Sequence, residues 1–344
     1  MPWPWRRPVS KTQLTGTLLL AGLLLCSALS MTVGPMGISA ATSAKASLSL
    51  LIPSLADSLS KPELMVIQQV RLPRTLLAIA VGALLAQCGA VMQSLFRNPL
   101  ADPGIIGVSS GAALGAAIAM VLFGSMAPVA LFAFIGGLIT TLLVYRLATG
   151  PSGTSVALML LAGVAIAALT GAGLGLLNYI ASDQALRDLS LWSMGSLAGG
   201  DWATIWTMLV STLVLLLVLS RDALKLNAML LGESEARHMG IPVQHFKLRL
   251  MATTALAVGL AVAVSGPIGF IGLVVPHLAR MMVGPDNRKV IPLSAALGAL
   301  LLLLADMGAR RLVSPAELPV GLMTALIGTP FFLYLLLKER RRFG

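Results

Sequence analysis

The sequence predicts an all-α polytopic membrane protein with about ten transmembrane helices and an inverted internal repeat. Three observations carry that prediction. The 344 residues are 57% hydrophobic and 11% charged, with a mean hydropathy of +0.91, whereas an ordinary soluble domain is about a quarter charged. Apolar runs of roughly 17–25 residues, long enough to cross a bilayer, recur along the whole chain. The Lys and Arg residues lie between those runs and fall unevenly on alternate sides.

The runs lie near Leu14–Val33, Thr75–Leu95, Ile105–Phe123, Pro128–Leu147, Ser155–Ile180, Ile205–Leu219, Leu250–Val264, Gly266–Val283, Ile291–Ala309 and Val320–Leu337. Inside hydrocarbon a backbone finds no water, so each run must close its own hydrogen bonds as a helix. An even number of crossings puts both termini on one side. The first run follows Arg6, Arg7 and Lys11 and reads either as a retained helix or as the apolar core of a signal peptide. It is longer than the ~7–15 residues usual for the latter, which favours the retained helix. With both termini inside, 17 of the 24 basic residues fall inside, and Lys45, Lys61, Arg71, Arg74, Arg187, Arg310 and Arg311 fall outside. Positive residues accumulate on the cytoplasmic side, so this orientation is favoured. The net charge of +11 is thus a topology code. It forms no basic stripe with interleaved aromatics, which argues against nucleic acid.

The repeat shows in Val81-Gly82, Ala86 and Gly89, which match Val258-Gly259, Ala263 and Gly266 at equal spacing, and in 110–116 against 293–299. The first copy starts outside and the second inside, the arrangement of an inverted-topology repeat. Small residues recur at intervals of four in Gly107, Gly111, Gly115 and in Gly163, Ala167, Gly171, Gly175. Such rows let helices approach closely in lipid, and packing is the first reading for most of them. A smooth wall for a translocation path is the other.

One segment departs from the membrane pattern. Ala228–Val243 is a short charged island with Glu233 and Glu235 early and Arg237 and His238 late, an order that suits a helix dipole at both ends. Gly240 can take a left-handed cap and Pro242 prevents continuation. Read from the residues alone, the island is either a docking helix for a soluble partner or a plain surface connection.

Few polar residues lie deep in the apolar runs. Asp306 stands near Arg310, so a local pair is expected. No chain of buried Asp, Glu and His marks an ion-coupled carrier. His277, behind Pro276, reads as structural rather than as a metal or haem ligand, and Cys26 and Cys88 as small buried hydrophobes. No metal or catalytic cluster is visible. No GxxxxGK[ST] loop is present, so the chain is not read as a nucleotide-hydrolysing enzyme. Energy for transport would come from a partner, and the island is the natural place to receive it.

Arg71-Leu-Pro-Arg-Thr, Gly89-Ala-Val-Met-Gln, Asn98-Pro-Leu-Ala-Asp-Pro-Gly, Leu231-Gly-Glu, Gly266-Pro-Ile-Gly-Phe-Ile-Gly-Leu-Val-Val-Pro-His and Glu317-Leu-Pro-Val-Gly resemble the FecCD-type permeases. These are membrane subunits of binding-protein-dependent ABC importers for ferric siderophores, haem and vitamin B12. The resemblance runs from about Arg71 to Leu337 in consistent order.

It implies a single permease domain over residues 1–344. A tail, first helix and outer loop occupy 1–70, a first repeat with its linking helix 71–220, coupling helices 225–243, and a second repeat with a basic tail 246–344. It implies a bacterial inner-membrane location with both termini cytoplasmic. The implied partners are membrane lipid, a second copy of the chain, two ATP-binding cassette subunits and a periplasmic binding protein; no resident cofactor is implied. Leu231, Gly232, Glu233, Glu235, Ala236, Arg237 and Gly240 would couple to the ATPases. Arg71, Arg74 and Arg310 would receive acidic residues of the binding protein, with Arg311 a neighbour lacking a clear counterpart. Helices near Gly163–Ile180 and Val320–Leu337 would wall the path, with Gly171, Gly175 and Asn178 on it. Asp183–Asp201, including Trp192 and Met194, would gate it. The segment Arg187-Asp-Leu-Ser-Leu-Trp-Ser-Met-Gly-Ser-Leu is similar to haem permeases, so the cargo expected first is haem, then a ferric siderophore, with vitamin B12 as the alternative. An ion-coupled secondary transporter remains the rival class.

Overall fold

The computed structural model describes residues 11–126, 128–150 and 153–343. Arg6 and Arg7, counted above on the inner side, lie outside the described residues. Fourteen α-helices follow in order among those described: α1 (Lys11–Ser30), α2 (Ala40–Leu48), α3 (Lys61–Met65), α4 (Leu72–Leu95), α5 (Val108–Phe123), α6 (Val129–Ala148), α7 (Val156–Ile180), α8 (Asp183–Ser193), α9 (Trp202–Leu231), α10 (Glu233–His238), α11 (Val243–Ser265), α12 (Ile271–Val283), α13 (Asn287–Arg311) and α14 (Val320–Phe343). A turn of π-helix, Val66–Arg71, joins α3 to α4. A two-stranded hairpin, β1 (Thr149–Gly150) and β2 (Gly153–Thr154), joins α6 to α7.

Six of these helices are long and apolar enough to cross a membrane, and four shorter apolar helices accompany them. They correspond one for one to the ten expected spans. The extra helices α2, α3, α8 and α10 sit between spans. They divide the bundle into two ends, an α10 end with the hairpin and an α8 end with α2 and α3. The largest departure from the expected boundaries is at the end of the sixth run. The sixth run, expected to stop near Leu219, continues as α9 to Leu231. Asp222, Ala223, Leu226 and Met229 keep a buried face along this extension, which holds it helical beyond the apolar stretch.

The core is built on α4, which is buried along nearly its whole length and packs along α13, α9, α12 and α11. Close approach of α4 and α13 rests on glycine. A Cβ at Gly82 would lie 2.4 Å from the Gly298 carbonyl oxygen, and one at Gly298 would lie 2.4 Å from that of Gly82. The α4–α13 pair has a counterpart in α11–α6, as an inverted repeat relating α4 to α11 and α6 to α13 requires. The match of 81–89 with 258–266 fits this relation. The Ala-rich match of 110–116 with 293–299 equates α5 with α13 and does not fit it; Ala- and Gly-rich helices match by composition alone.

The two small-residue rows part company. Gly111 and Gly115 hold α5 on α6, where added Cβ atoms would lie 2.1 Å from Thr140 Oγ1 and 2.0 Å from the Phe132 carbonyl oxygen. Gly171 and Gly175 on α7 face open space, with nothing within 4 Å of an added Cβ.

Candidate functional site

The charged island folds as α10, set between two chain reversals. Gly232 (φ 139°) ends α9 and Gly240 (φ 81°) ends α10. Gly240 N donates to the Arg237 carbonyl at 2.9 Å and Ile241 N to the Ala236 carbonyl at 3.0 Å, which is a Schellman stop. Pro242 then precedes α11. Ala236 and Gly232 are buried against the bundle, while Leu231, Glu235, Arg237, His238 and Met239 are exposed. Lys247 Nζ, on α11, donates to Glu233 Oε1 at 2.6 Å; the Lys247 side chain is 2% exposed and that of Glu233 30%. An ion pair so placed ties the position of α10 to the axis of α11. Beside it, an open cavity of about 410 Å³ is lined by Leu231–Glu235, Arg237, Thr154 and Arg97. The Ser234 hydroxyl holds the exposed Glu235 carboxyl below the usual range, and the charges of His238 and Arg97 add to that effect. Thus the seven residues expected to couple share one surface feature. Three are buried or half-buried anchors (Gly232, Glu233, Ala236), and the rest face outward or form the stop.

A second cross-link stiffens the same end. Asp222 on α9 is buried and pairs with Arg249 on α11 and, at 3.6 Å, with Lys225. The cations of Lys225 and Arg249 lie 5.9 and 5.6 Å from the Phe246 ring centroid. Asn227 donates to Asp286 at 2.7 Å and accepts from the Asn287 backbone at 2.8 Å, joining α9 to the start of α13. Arg288 draws the Asp286 carboxyl down to about 2.

The arginines at the α8 end sit differently from expectation. Arg71, Arg74 and Arg310 are buried, not presented to solvent. Arg74 donates to Asp306 at 2.8 Å and pairs with Glu317 at 2.5 Å. Arg310 lies 3.0 Å from Asp306 and donates to the carbonyls of Ser30 and Val33, each at 3.1 Å. Arg71 donates to the Met31 carbonyl at 2.6 Å and to that of Met36. The reason is local: α1 ends at Ser30 with carbonyls that have no intrahelical donor, and cations at a helix C-terminus satisfy them. Asp306, 0% exposed, shares its carboxylate between Arg74 and Arg310, and Glu317 on Arg74 supplies the second negative charge. The three therefore do not form a free row for receiving acids in this structure. Arg311 is exposed, and Glu317 sits at the rim with 37% exposure.

The expected path residues are exposed, apart from Trp192. Gly171, Gly175 and Asn178 are exposed on α7, Met194 is exposed after α8, and Trp192 is half-buried. The turn after α8 is fixed tightly. Ser196 N donates to the Ser265 carbonyl at 2.7 Å, and added Cβ atoms at Gly195 and Gly321 would lie 2.5 Å from the Pro267 carbonyl and 2.3 Å from the Met194 carbonyl. The Asn98–Gly104 and Gly266–His277 motifs also meet. Asp102 accepts from Gly104 N at 2.7 Å, and its other oxygen lies 3.0 Å from where a Gly272 Cβ would be.

Lys247, Arg97 and Asp222 escaped sequence reasoning. Lys247 and Asp222 stand close to apolar runs, and their pairing with Glu233 and Arg249 crosses helix boundaries that only the fold reveals. Among the described residues no group of three His, Cys, Asp or Glu could hold a metal ion. Cys88 is buried and Cys26 half-buried, both free.

The sequence profile of the FecCD transport family matches residues 20–338. The chain is 50% identical over 282 residues to the hemin transport system permease protein HmuU of Yersinia pestis, covering 79% of this chain and 83% of that protein. It is 45% identical over 276 residues to the vitamin B12 import system permease protein BtuC of Escherichia coli, covering 79% and 84%. A metal-chelate type ABC transporter solved in an inward-facing conformation superposes with a TM-score of 0.80 at 33% identity, over 96% of this chain and 100% of that one. Ten apolar helices, a pinned surface helix at one end and these relationships agree: the chain is an ABC-importer permease that belongs to the FecCD transport family.

Proposed function

We propose that the chain carries an iron-containing chelate, haem first and a ferric siderophore next, from periplasm to cytoplasm, and that two separate ATPase subunits drive it through α10. The observation that carries this reading is α10 itself: a helix stopped at both ends, anchored by the Glu233–Lys247 pair, and exposing Leu231, Glu235, Arg237 and Met239. A mere connection between spans needs none of these devices. Closing of the ATPase pair on ATP would push α10, and the buried ion pair would pass that displacement to α11 and so to α6 and α4.

The orientation follows from the same reading, with the α10 end and both termini cytoplasmic. The unpartnered faces of α7 and α14 support a path between two copies of the chain, with Gly171, Gly175 and Asn178 along it and 183–201 as its outer gate. The binding protein would dock at the α8 end. There Arg311 is an exposed cation, as are Lys45, Lys61 and Arg187, and Arg71, Arg74 and Arg310 hold the platform beneath it; the Arg74–Glu317 pair is the one an incoming carboxylate could exchange with. An ion-coupled carrier is disfavoured because Asp222 and Asp306, the acids with least exposure among the described residues, are both neutralised by basic partners.

Haem is placed ahead of vitamin B12 on the greater identity to the hemin permease. The test is uptake into proteoliposomes holding the permease, its ATPases and its binding protein. Haem accumulation that requires ATP, with cobalamin left outside, supports the reading; accumulation without ATPases would overturn it. Disulfide cross-linking of cysteines placed on α7 should give a covalent dimer; transport by a monomer would refute the shared path.

A further inference from the structure

A groove on the outside of the bundle, away from α7, α10 and α14, has the make-up of a phospholipid site. It runs between α1, α4, α9 and α13 and encloses about 570 Å³. Its floor is made of small side chains, Ala83, Ala295 and Ala299 among them, that pack as a cluster of their own. Its rim includes Leu20 and Leu213, both more than half exposed, so it opens toward the lipid and not into the bundle. Besides Thr212, whose hydroxyl donates to the Ala80 and Met208 carbonyls, two features break the apolar lining. Arg288 and Lys289 stand at one end, in the first turn of α13. Gln87 lies within, 0% exposed, with neither its amide nitrogen nor its oxygen hydrogen-bonded.

The length of the groove suits an acyl chain. The α13 lining from Arg288 to Ala299 covers roughly 16 Å of helix at 1.5 Å per residue, and most of the lining is apolar. The polar groups select the kind of chain. An amide buried without partners costs on the order of 1–3 kcal/mol, which an ester carbonyl or hydroxyl of a lipid would relieve. Arg288 is occupied by Asp286, at 2.9–3.2 Å. Lys289 is exposed and has no carboxylate within salt-bridge distance among the described residues. Basic groups between transmembrane helices at the cytoplasmic level attract anionic headgroups.

We propose that this groove binds one anionic phospholipid, its phosphate at Lys289, its ester region at Gln87 and an acyl chain along the alanine floor. Only the assignment to the inner leaflet rests on the orientation proposed above. The purified importer complex in detergent, titrated with dioleoyl phosphatidylglycerol or dioleoyl phosphatidylcholine and followed by native mass spectrometry, tests it. The first phosphatidylglycerol should bind about five-fold or more tighter than phosphatidylcholine, the preference expected of one lysine. Lys289→Gln, a surface change with no packing role, should abolish the preference while leaving weak binding of both lipids. Ala296→Leu, which fills the groove, should weaken both. Equal binding of the two lipids by the parent, or an undiminished preference in Lys289→Gln, would overturn the proposal whatever the complex transports.

Discussion

Replacing Glu233 by Gln should damage the permease more than replacing its partner Lys247 by Met, and the asymmetry can be worked from exposure. At 2.6 Å, the gross attraction is about 6 kcal/mol at an effective dielectric of 20, most of it offset by desolvation. Breaking a fully buried pair from one side costs about 3–5 kcal/mol. Glu233 is 30% exposed, and an amide can still accept one bond from the ammonium, so about 2–3 kcal/mol is the expected cost of Glu233→Gln. Removal of Lys247 instead leaves a carboxylate at the surface, where water solvates it, and about 1 kcal/mol or less should be lost. The double variant should then be more stable than Glu233→Gln alone, with a coupling of about 1–2 kcal/mol. Thermal unfolding of the purified complex reads the stability. The ratio of transport to ATP hydrolysis reads the coupling, which both single changes should lower. Equal and additive costs for the two changes, with unaltered coupling, would refute a mechanical role for the pair.

Other outcomes follow from the same geometry. Gly82→Ala and Gly111→Ala place a methyl within 2.4 and 2.1 Å of neighbouring atoms, and each should lower stability by about 1–3 kcal/mol in thermal unfolding. Gly171→Ala and Gly175→Ala meet nothing within 4 Å and should leave unfolding unchanged, while altering cross-linking between copies. Asp306→Asn leaves Arg310 without an anion and Arg74 with Glu317 alone, and should cost about 3–5 kcal/mol, read as loss of the protein from the membrane. Glu317→Gln leaves buried Arg74 with Asp306 alone and should cost less than Asp306→Asn, about 1–3 kcal/mol. Asp286, held down to about 2 in the folded chain, contributes stability that is complete above about pH 4 and lost as pH falls toward 2. Asp286→Asn should flatten that part of an acid-unfolding curve.

The sequence made the spans legible because hydrocarbon leaves the backbone one option, and length plus apolarity then suffice. It made α10 legible because Glu233, Gly240 and Pro242 are local signals for a short capped helix. It could not place the end of α9, since Arg221, Asp222 and Lys225 read as a loop until Arg249 and Phe246 are brought beside them. It misplaced Arg71, Arg74 and Arg310 for a related reason. Charges near a membrane boundary read as surface groups, and the carbonyls and the acid that draw them inward come from α1 and α13, remote in the chain. The two glycine rows look alike in sequence, and only the fold shows that one meets a neighbouring helix and the other open space.

The arginine lock at the α8 end also orders the birth of the protein. Arg310 bonds Ser30 across 280 positions of chain, and Arg74 meets Asp306 across 232. Synthesis proceeds from the N-terminus, so α1 and α4 enter the bilayer long before the residues that neutralise and clasp them exist. During that interval Arg74 depends on the headgroup region for its hydration, while Arg71 already has the Met31 and Met36 carbonyls. Delivery of α13 then secures the oldest helix with one of the youngest, so a chain interrupted before Asp306 leaves Arg74 without either of its carboxylates and the end of α1 without Arg310.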